Sequence, residues 1–263
     1  MAGAIDGIDV DALCREYDEL GAVAPSRPDR DKCYFVGHEG RPRAKTPGHP
    51  SEKHLAIALW RLGTLRTRAD VTQIPLLDYQ FPLKAARSDR GLGEVDLLGA
   101  TAEDRIAIIE LKVKRRDGTR GESPVHALME GLRYAAVVHA NIGAISAETR
   151  HLFGVDLSDR PPIMQILAPE DWWGGWLDMG RTRRTAGPWE SGFLELATHL
   201  EARLGIAVQC ASLEAAGLAD IAWDACGPLL PHPPTVSGVA LDRAAGRRFS
   251  KMRAAHPSSS STA

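Results

Sequence analysis

The sequence predicts an α/β fold, a three-layer sandwich in which a mixed central β-sheet is flanked by helices. Three observations carry this expectation. Segments with apolar residues at helical spacing alternate along the 263 residues with short strand-like runs. Two of those runs, GEVDLL (Gly93 to Leu98) and IAIIELKVK (Ile106 to Lys114), face each other across the short connection ATAEDR, as the two arms of a β-hairpin do. A third run, PPIMQILAP at 161–169, has the near-continuous apolar character of a central strand.

In chain order, Ile8, Val10, Leu13, Tyr17 and Leu20 lie near helical spacing in an acidic segment, which predicts a surface helix on the main domain. Residues 21–50 are rich in Pro, Gly and charge, and only KCYFVGHEG reads as a short strand there. Pro50 and an N-cap Ser51 open a helix that runs through Leu55, Leu59 and Leu62 to about Leu65. Val71 to Leu83 supplies a strand or edge strand, since Pro75 and Pro82 cannot donate to a ladder. Ser123 and Pro124 begin a further helix to about Ala140, with Val125, Leu128, Leu132 and Ala135 as its packing stripe. NIGAIS and PPIMQILAP read as strands, Pro188 to Leu204 as a helix, and GIAVQCASL as a final strand. The cluster Trp172, Trp173 and Trp176 either stacks bases or closes a core edge. From Pro231 the chain is Pro- and Ser-rich and basic, which predicts a disordered tail. The organisation expected is an N-terminal acidic helix and loop-rich lead-in over 1–49, one domain over 50–230, and that tail over 231–263.

Composition narrows the function classes. A net charge of −2 announces no global nucleic-acid binder, so any such contact must come from a local basic surface. Cys14, Cys33, Cys210 and Cys226 lack CxxC spacing and read as free thiols of a reducing cytoplasm; a zinc site from Cys33, His38, His49 and His54 has irregular spacing. No apolar stretch is long enough to span a bilayer and the N-terminus has no signal-peptide pattern, which predicts a soluble cytoplasmic chain. Neither a GxxxxGK[ST] phosphate loop nor a GxSxG elbow is present, which sets aside an NTP-driven motor and a serine hydrolase.

The chemistry concentrates in the hairpin. Alternation along its second strand puts Glu110 and Lys112 on one face and Ile109, Leu111 and Val113 on the other. Charges on a largely buried strand cost several kcal/mol unless paired, and Asp96 on the first strand adds a second carboxylate instead of a counter-charge. A divalent cation satisfies all of them. Asp96, Glu110 and the backbone carbonyl of Leu111 make a hard oxygen site of the kind Mg²⁺ takes, with Mn²⁺ as a substitute, and Lys112 is placed to orient or deprotonate a water.

Asp96 followed by Glu110-x-Lys112 at the end of an apolar strand resembles the PD-(D/E)xK nuclease superfamily, in particular its Holliday-junction-resolvase-like and restriction-endonuclease-like branches. The resemblance spans about Pro50 to Ala140. It implies a restriction-endonuclease-like sandwich and Mg²⁺-dependent hydrolysis of phosphodiester bonds in DNA, with RNA second. It also implies that Glu52, at the start of the preceding helix, joins the metal site; on its own pattern Glu52 reads equally as a first-turn glutamate facing the helix dipole. Related nucleases carry Gln-x-x-x-Tyr on the helix after ExK. Here Glu130 stands at the Gln position as a supporting residue of open role, and Tyr134 carries over as a nucleic-acid contact or as a buried tyrosine.

Lys114, Arg115, Arg116 and Arg120 form a basic patch just downstream, suited to a phosphodiester backbone or to a solvated hairpin tip. A homodimer, which paired cuts across a duplex often need, stays open. Two further readings differ in class: a non-catalytic nucleic-acid-binding or assembly module, and a metal-dependent hydrolase of small nucleotides.

Overall fold

The structure is a computed structural model that describes residues 5, 7–36, 49–67, 73–114, 121–177, 188–214, 216–239 and 241. Helix α1, Val10–Ala22, starts where the Asp9 side chain accepts the Ala12 amide at 3.0 Å. Helix α2, Glu52–Arg61, follows Ser51, whose amide donates to His54 Nδ1 at 2.9 Å. Strands β1 (Thr64–Thr67), β2 (Gln73–Pro82), β3 (Glu94–Ala100) and β4 (Ile106–Leu111) then pair antiparallel in sequence, each with the next. Helix α3, Pro124–Ala140, has Ser123 Oγ accepting the His126 amide at 3.2 Å and Pro124 in its first turn. Helix α4, Ile142–Phe153, ends at Gly154 in the left-handed conformation, and β5, Ile163–Pro169, returns parallel to β4. Helices α5 (Glu170–Leu177) and α6 (Pro188–Leu204) lead to β6, Val208–Glu214, parallel to β5. The short β7 (Ala222–Asp224) and β8 (Gly227–Leu229) form a separate hairpin, and β9 spans Thr235–Gly238.

The sheet does not remain open. β9 pairs antiparallel with β6, Leu213 opposite Val236, and parallel with β1, Arg66 opposite Thr235. Seven strands therefore close into a mixed barrel in the order β1-β2-β3-β4-β5-β6-β9, which overturns the expected three-layer restriction-endonuclease-like sandwich. Closure removes the unpaired edges that an open sheet would present at β1 and β6.

Each side of the barrel wall has its own core. On the outer side Val95, Leu98, Ile108, Met164 and Ile166 pack with residues of α1, α3, α4, α5 and α6. The inner core draws on all seven strands, among them Leu65, Leu76, Leu97, Ile109, Leu167, Leu213 and Val236, and its filling is α2. Five consecutive residues, Leu55 to Leu59, are buried there, as expected of a helix with apolar contacts all round.

Other expectations are corrected locally. Asn141 to Ser146, read as a strand, belongs to the α3–α4 corner, with Ile145, Ser146 and Thr149 buried at helical spacing. Residues 32–36 form no strand, and 37–40 lie outside the described residues. Thr235–Gly238, inside the segment expected as a tail, is the strand that closes the barrel, whereas residues 242–263 lie outside the described residues. Trp172 and Trp173 are fully buried in the outer core, Trp173 Nε1 donating to the Ala211 carbonyl at 2.8 Å, so neither presents a face for stacking bases. All four cysteines are unpaired. Among the described residues no helix is long and apolar enough to cross a membrane.

Candidate active site

The hairpin register brings the hairpin's charged residues to one place. Leu97 pairs with Ile109 and Leu98 with Ile108. Asp96 and Glu110 lie one step beyond on either side, hence opposite each other and on the same face as Leu98 and Ile108. The Leu111 amide donates to Asp96 Oδ2 at 3.1 Å, so the backbone of Leu111 also holds the carboxylate in place. Glu110 Oε1 accepts from Lys112 Nζ at 2.7 Å. Glu110 Oε2 is buried without a hydrogen-bond partner.

Lys112 is nearly buried and holds three carboxylates: Glu110, Glu122 at 2.9 Å and Glu130 at 3.2 Å. Glu130 Oε1 also accepts from the Tyr134 hydroxyl at 2.8 Å. The role left open for Glu130 therefore becomes concrete: it bridges lysine and tyrosine. Tyr134 is itself buried, against Gly93, where any side chain would collide with its hydroxyl. Its environment is that of a buried tyrosine supporting the cluster.

Electrostatics show how crowded the rim is. Burial, then the neighbouring Asp96, pushes Glu110 well above the usual carboxylate range, with Lys112 pulling the other way. Asp96 is pushed up to about 6, chiefly by burial and against the attraction of Lys112. Glu52, at the N-terminus of α2, is pushed up to about 7 by burial and then by the negative charge of Asp96. Burial alone would lower Lys112, but Glu110, Glu122 and Glu52 outweigh it and hold the ammonium above the ordinary lysine range. Burial likewise works to raise Glu130, but the Tyr134 hydroxyl and Lys112 prevail and bring it below its usual value. Three carboxylates thus contact one ammonium, and Asp96 and Glu52 act on it through their charge.

Two members had no signal in the sequence reading. Gln80 Nε2 donates to Asp96 Oδ1 at 3.0 Å from a backbone with φ +49°, beside a register shift between Leu76 and Asp78. Glu122 precedes the N-cap of α3 and reaches Lys112 from there. The basic patch is only partly described: Lys114 is exposed, whereas Arg115, Arg116 and Arg120 lie outside the described residues, as does His38 of the zinc reading.

Among the described residues no three His, Cys, Asp or Glu side chains are grouped so as to cage a metal ion unaided. Mg²⁺ does not require such a cage, since it keeps several waters and is commonly bound through one or two carboxylates plus substrate phosphate. Asp96 and Glu110 supply hard anionic oxygens, one of them buried and unpartnered. In chemistry the residues fit a hard divalent cation.

No family model, curated protein or solved structure matches this chain.

Proposed function

We propose that this chain is a metal-dependent nuclease that hydrolyses phosphodiester bonds in DNA, with RNA as the second candidate. One observation carries the reading. Asp96, Glu110 and Lys112 meet on the β3–β4 hairpin, and Glu52, about sixty residues away from Lys112 in sequence, is electrostatically coupled to them. Buried carboxylates in such excess over ammonium must either hold protons or neutralise a cation. The local pattern also supports the likeness to the PD-(D/E)xK superfamily at the level of the site, independently of the barrel around it.

Asp96 and Glu110 would hold Mg²⁺, with Glu52 completing or extending the set. Bound there, Mg²⁺ would polarise the phosphoryl oxygens and make a nucleophile of water near neutral pH. The chain's own groups do the positioning. Gln80 and the Leu111 amide fix the two oxygens of Asp96. Lys112, tied to Glu110 and the α3 side, offers its ammonium to an attacking water or a phosphoryl oxygen. Tyr134 holds Glu130, which holds Lys112 in turn.

A second reading, a binding or assembly module with no catalysis, is favoured by one observation: Lys112 is engaged by three carboxylates. A cleavage panel separates the two. Supercoiled, linear, single-stranded and four-way DNA are incubated with Mg²⁺ or Mn²⁺ beside a Lys112→Ala control. Cleavage by the parent chain that the variant lacks supports the nuclease. No cleavage of any substrate, together with no Mg²⁺ binding heat dependent on Asp96, supports the module.

A further inference from the structure

We propose that the groove beside the carboxylate cluster is a nucleobase pocket. It takes an unpaired base bearing an exocyclic amino group, from the nucleotide next to the bond that is cut. The placement of the cut rests on the nuclease reading above; the base chemistry rests on the groove.

The groove, about 680 Å³, lies at the C-terminal ends of the parallel strands β4, β5 and β6. Ligands of α/β proteins commonly sit at such strand ends, and the volume falls among small-molecule sites, roughly 300–1,000 Å³. Pro50, Val113, Pro169, Leu213 and Ala216 give it apolar walls. Its link to the cluster is rigid. Val113 directly follows Lys112, their Cα atoms about 3.8 Å apart. The Lys112 amide donates to the Leu167 carbonyl at 2.9 Å, two residues before Pro169 of the wall. Val113 and Lys112 are consecutive, so the groove and the ammonium lie on the two faces of one strand end.

The sign of the rim decides which part of a nucleotide enters. Among the described residues Glu170, Asp171 and Asp220 line it, against Lys114 and His49. That excess of negative charge repels phosphate, so the groove does not track the backbone. Ionised carboxylates only accept hydrogen bonds, and so match the amino groups of cytosine, adenine or guanine; thymine has none. Asp220 Oδ2 already accepts the Gly217 amide at 2.8 Å, which fixes that carboxylate in orientation and leaves its second oxygen for a ligand. Flat apolar faces of a base suit the prolines and aliphatic side chains of the walls. A base enters such a recess only after leaving the stack, which makes a single strand or a distorted duplex the substrate class.

The test measures anisotropy of labelled single-stranded decamers of oligo(dC), oligo(dT) and an abasic strand, in EDTA so that no cleavage intervenes. The wild-type chain should bind oligo(dC) about tenfold more tightly than the other two. Ala219→Trp, from an exposed position of the lining, should fill the groove and erase that difference; Asp171→Asn, a surface change, should reduce it and serves if the first variant melts early. Equal binding of the three strands overturns the pocket, as does an unchanged preference in both variants. So does a lysine-rich peptide that binds this groove while oligo(dC) does not. Lys112-dependent cleavage without base preference removes the pocket and keeps the nuclease. Base preference without any cleavage supports the pocket and removes the nuclease.

Discussion

Raising the pH from 5 to 8 without divalent cations should destabilise this fold by a few kcal/mol, on the order of what displaced buried carboxylates contribute, and Mg²⁺ should reverse much of that loss. Asp96 keeps its proton up to about pH 6 in the fold against 3.8 for an ordinary aspartate, and Glu52 up to about 7 against 4.5. Between each pair of values the native chain binds more protons than the unfolded chain. Stability is therefore fully present below the lower value and falls as pH rises through the higher one. Each pKa unit of displacement corresponds to about 1.4 kcal/mol, so the two groups together contribute an effect on the order of a few kcal/mol between pH 5 and 8. Glu110, displaced in the same direction, adds to it.

A cation that binds the ionised carboxylates opposes the trend, stabilising by about 2.7 kcal/mol at one hundred times its dissociation constant. Urea unfolding followed by tryptophan fluorescence, at both pH values and with EDTA or Mg²⁺, reads the effect directly. Asp96→Asn should reduce the pH dependence, leaving the part that Glu52 and Glu110 owe to burial, and remove the response to Mg²⁺. Stability that is flat or higher at pH 8 in EDTA, or an Mg²⁺ response that survives in Asp96→Asn, would refute the reasoning.

Three further outcomes follow from the geometry. Lys112→Met leaves buried carboxylates without their ammonium and should cost about 3–5 kcal/mol at pH 8, and clearly less in acid, since burial already favours the protonated form of Glu110; equal losses at pH 8 and in acid in urea titrations would contradict this. Gln80→Gly frees a left-handed backbone position while removing the amide that holds Asp96, so the melting temperature should hold or rise as Mg²⁺ affinity in calorimetry drops about tenfold. A chain ending at Leu230 loses β9 and exposes the edges of β1 and β6; light scattering should show it self-associating, and a cooperative, monomeric melt like that of the full chain would count against the closed barrel.

The candidate site was far more legible than the architecture that holds it. The two-residue period of a strand is enough to set Glu110 and Lys112 side by side, and the length of the ATAEDR connection nearly fixes Asp96 opposite Glu110. Glu52 could be weighed because it opens a helix whose next residues are apolar. Gln80 could not: its reach depends on a positive φ and on a register shift, neither of which its neighbours Tyr79 and Phe81 announce. Barrel closure was hidden for a different reason. Four residues, TVSG behind PHPP, carry weak strand propensity and make both of their pairings with strands far away in sequence. NIGAIS misled because its isoleucines are three apart, a spacing that reads as a helix only with Ser146 and Thr149 included.

The seam between β1 and β9 joins positions about 170 residues apart. During synthesis the first four strands and α2 have all left the ribosome long before the segment that locks them together exists. Until then the stave at Thr64–Thr67 has one flank bare, and α2 sits in a cup, not a cask. Assembly is consequently bound to finish near the C-terminus, and contacts of such span form slowly because their loop entropy must be met before they repay it. Val236, buried at that joint, is the amide at which pulse-labelled hydrogen exchange should report the last protection to appear.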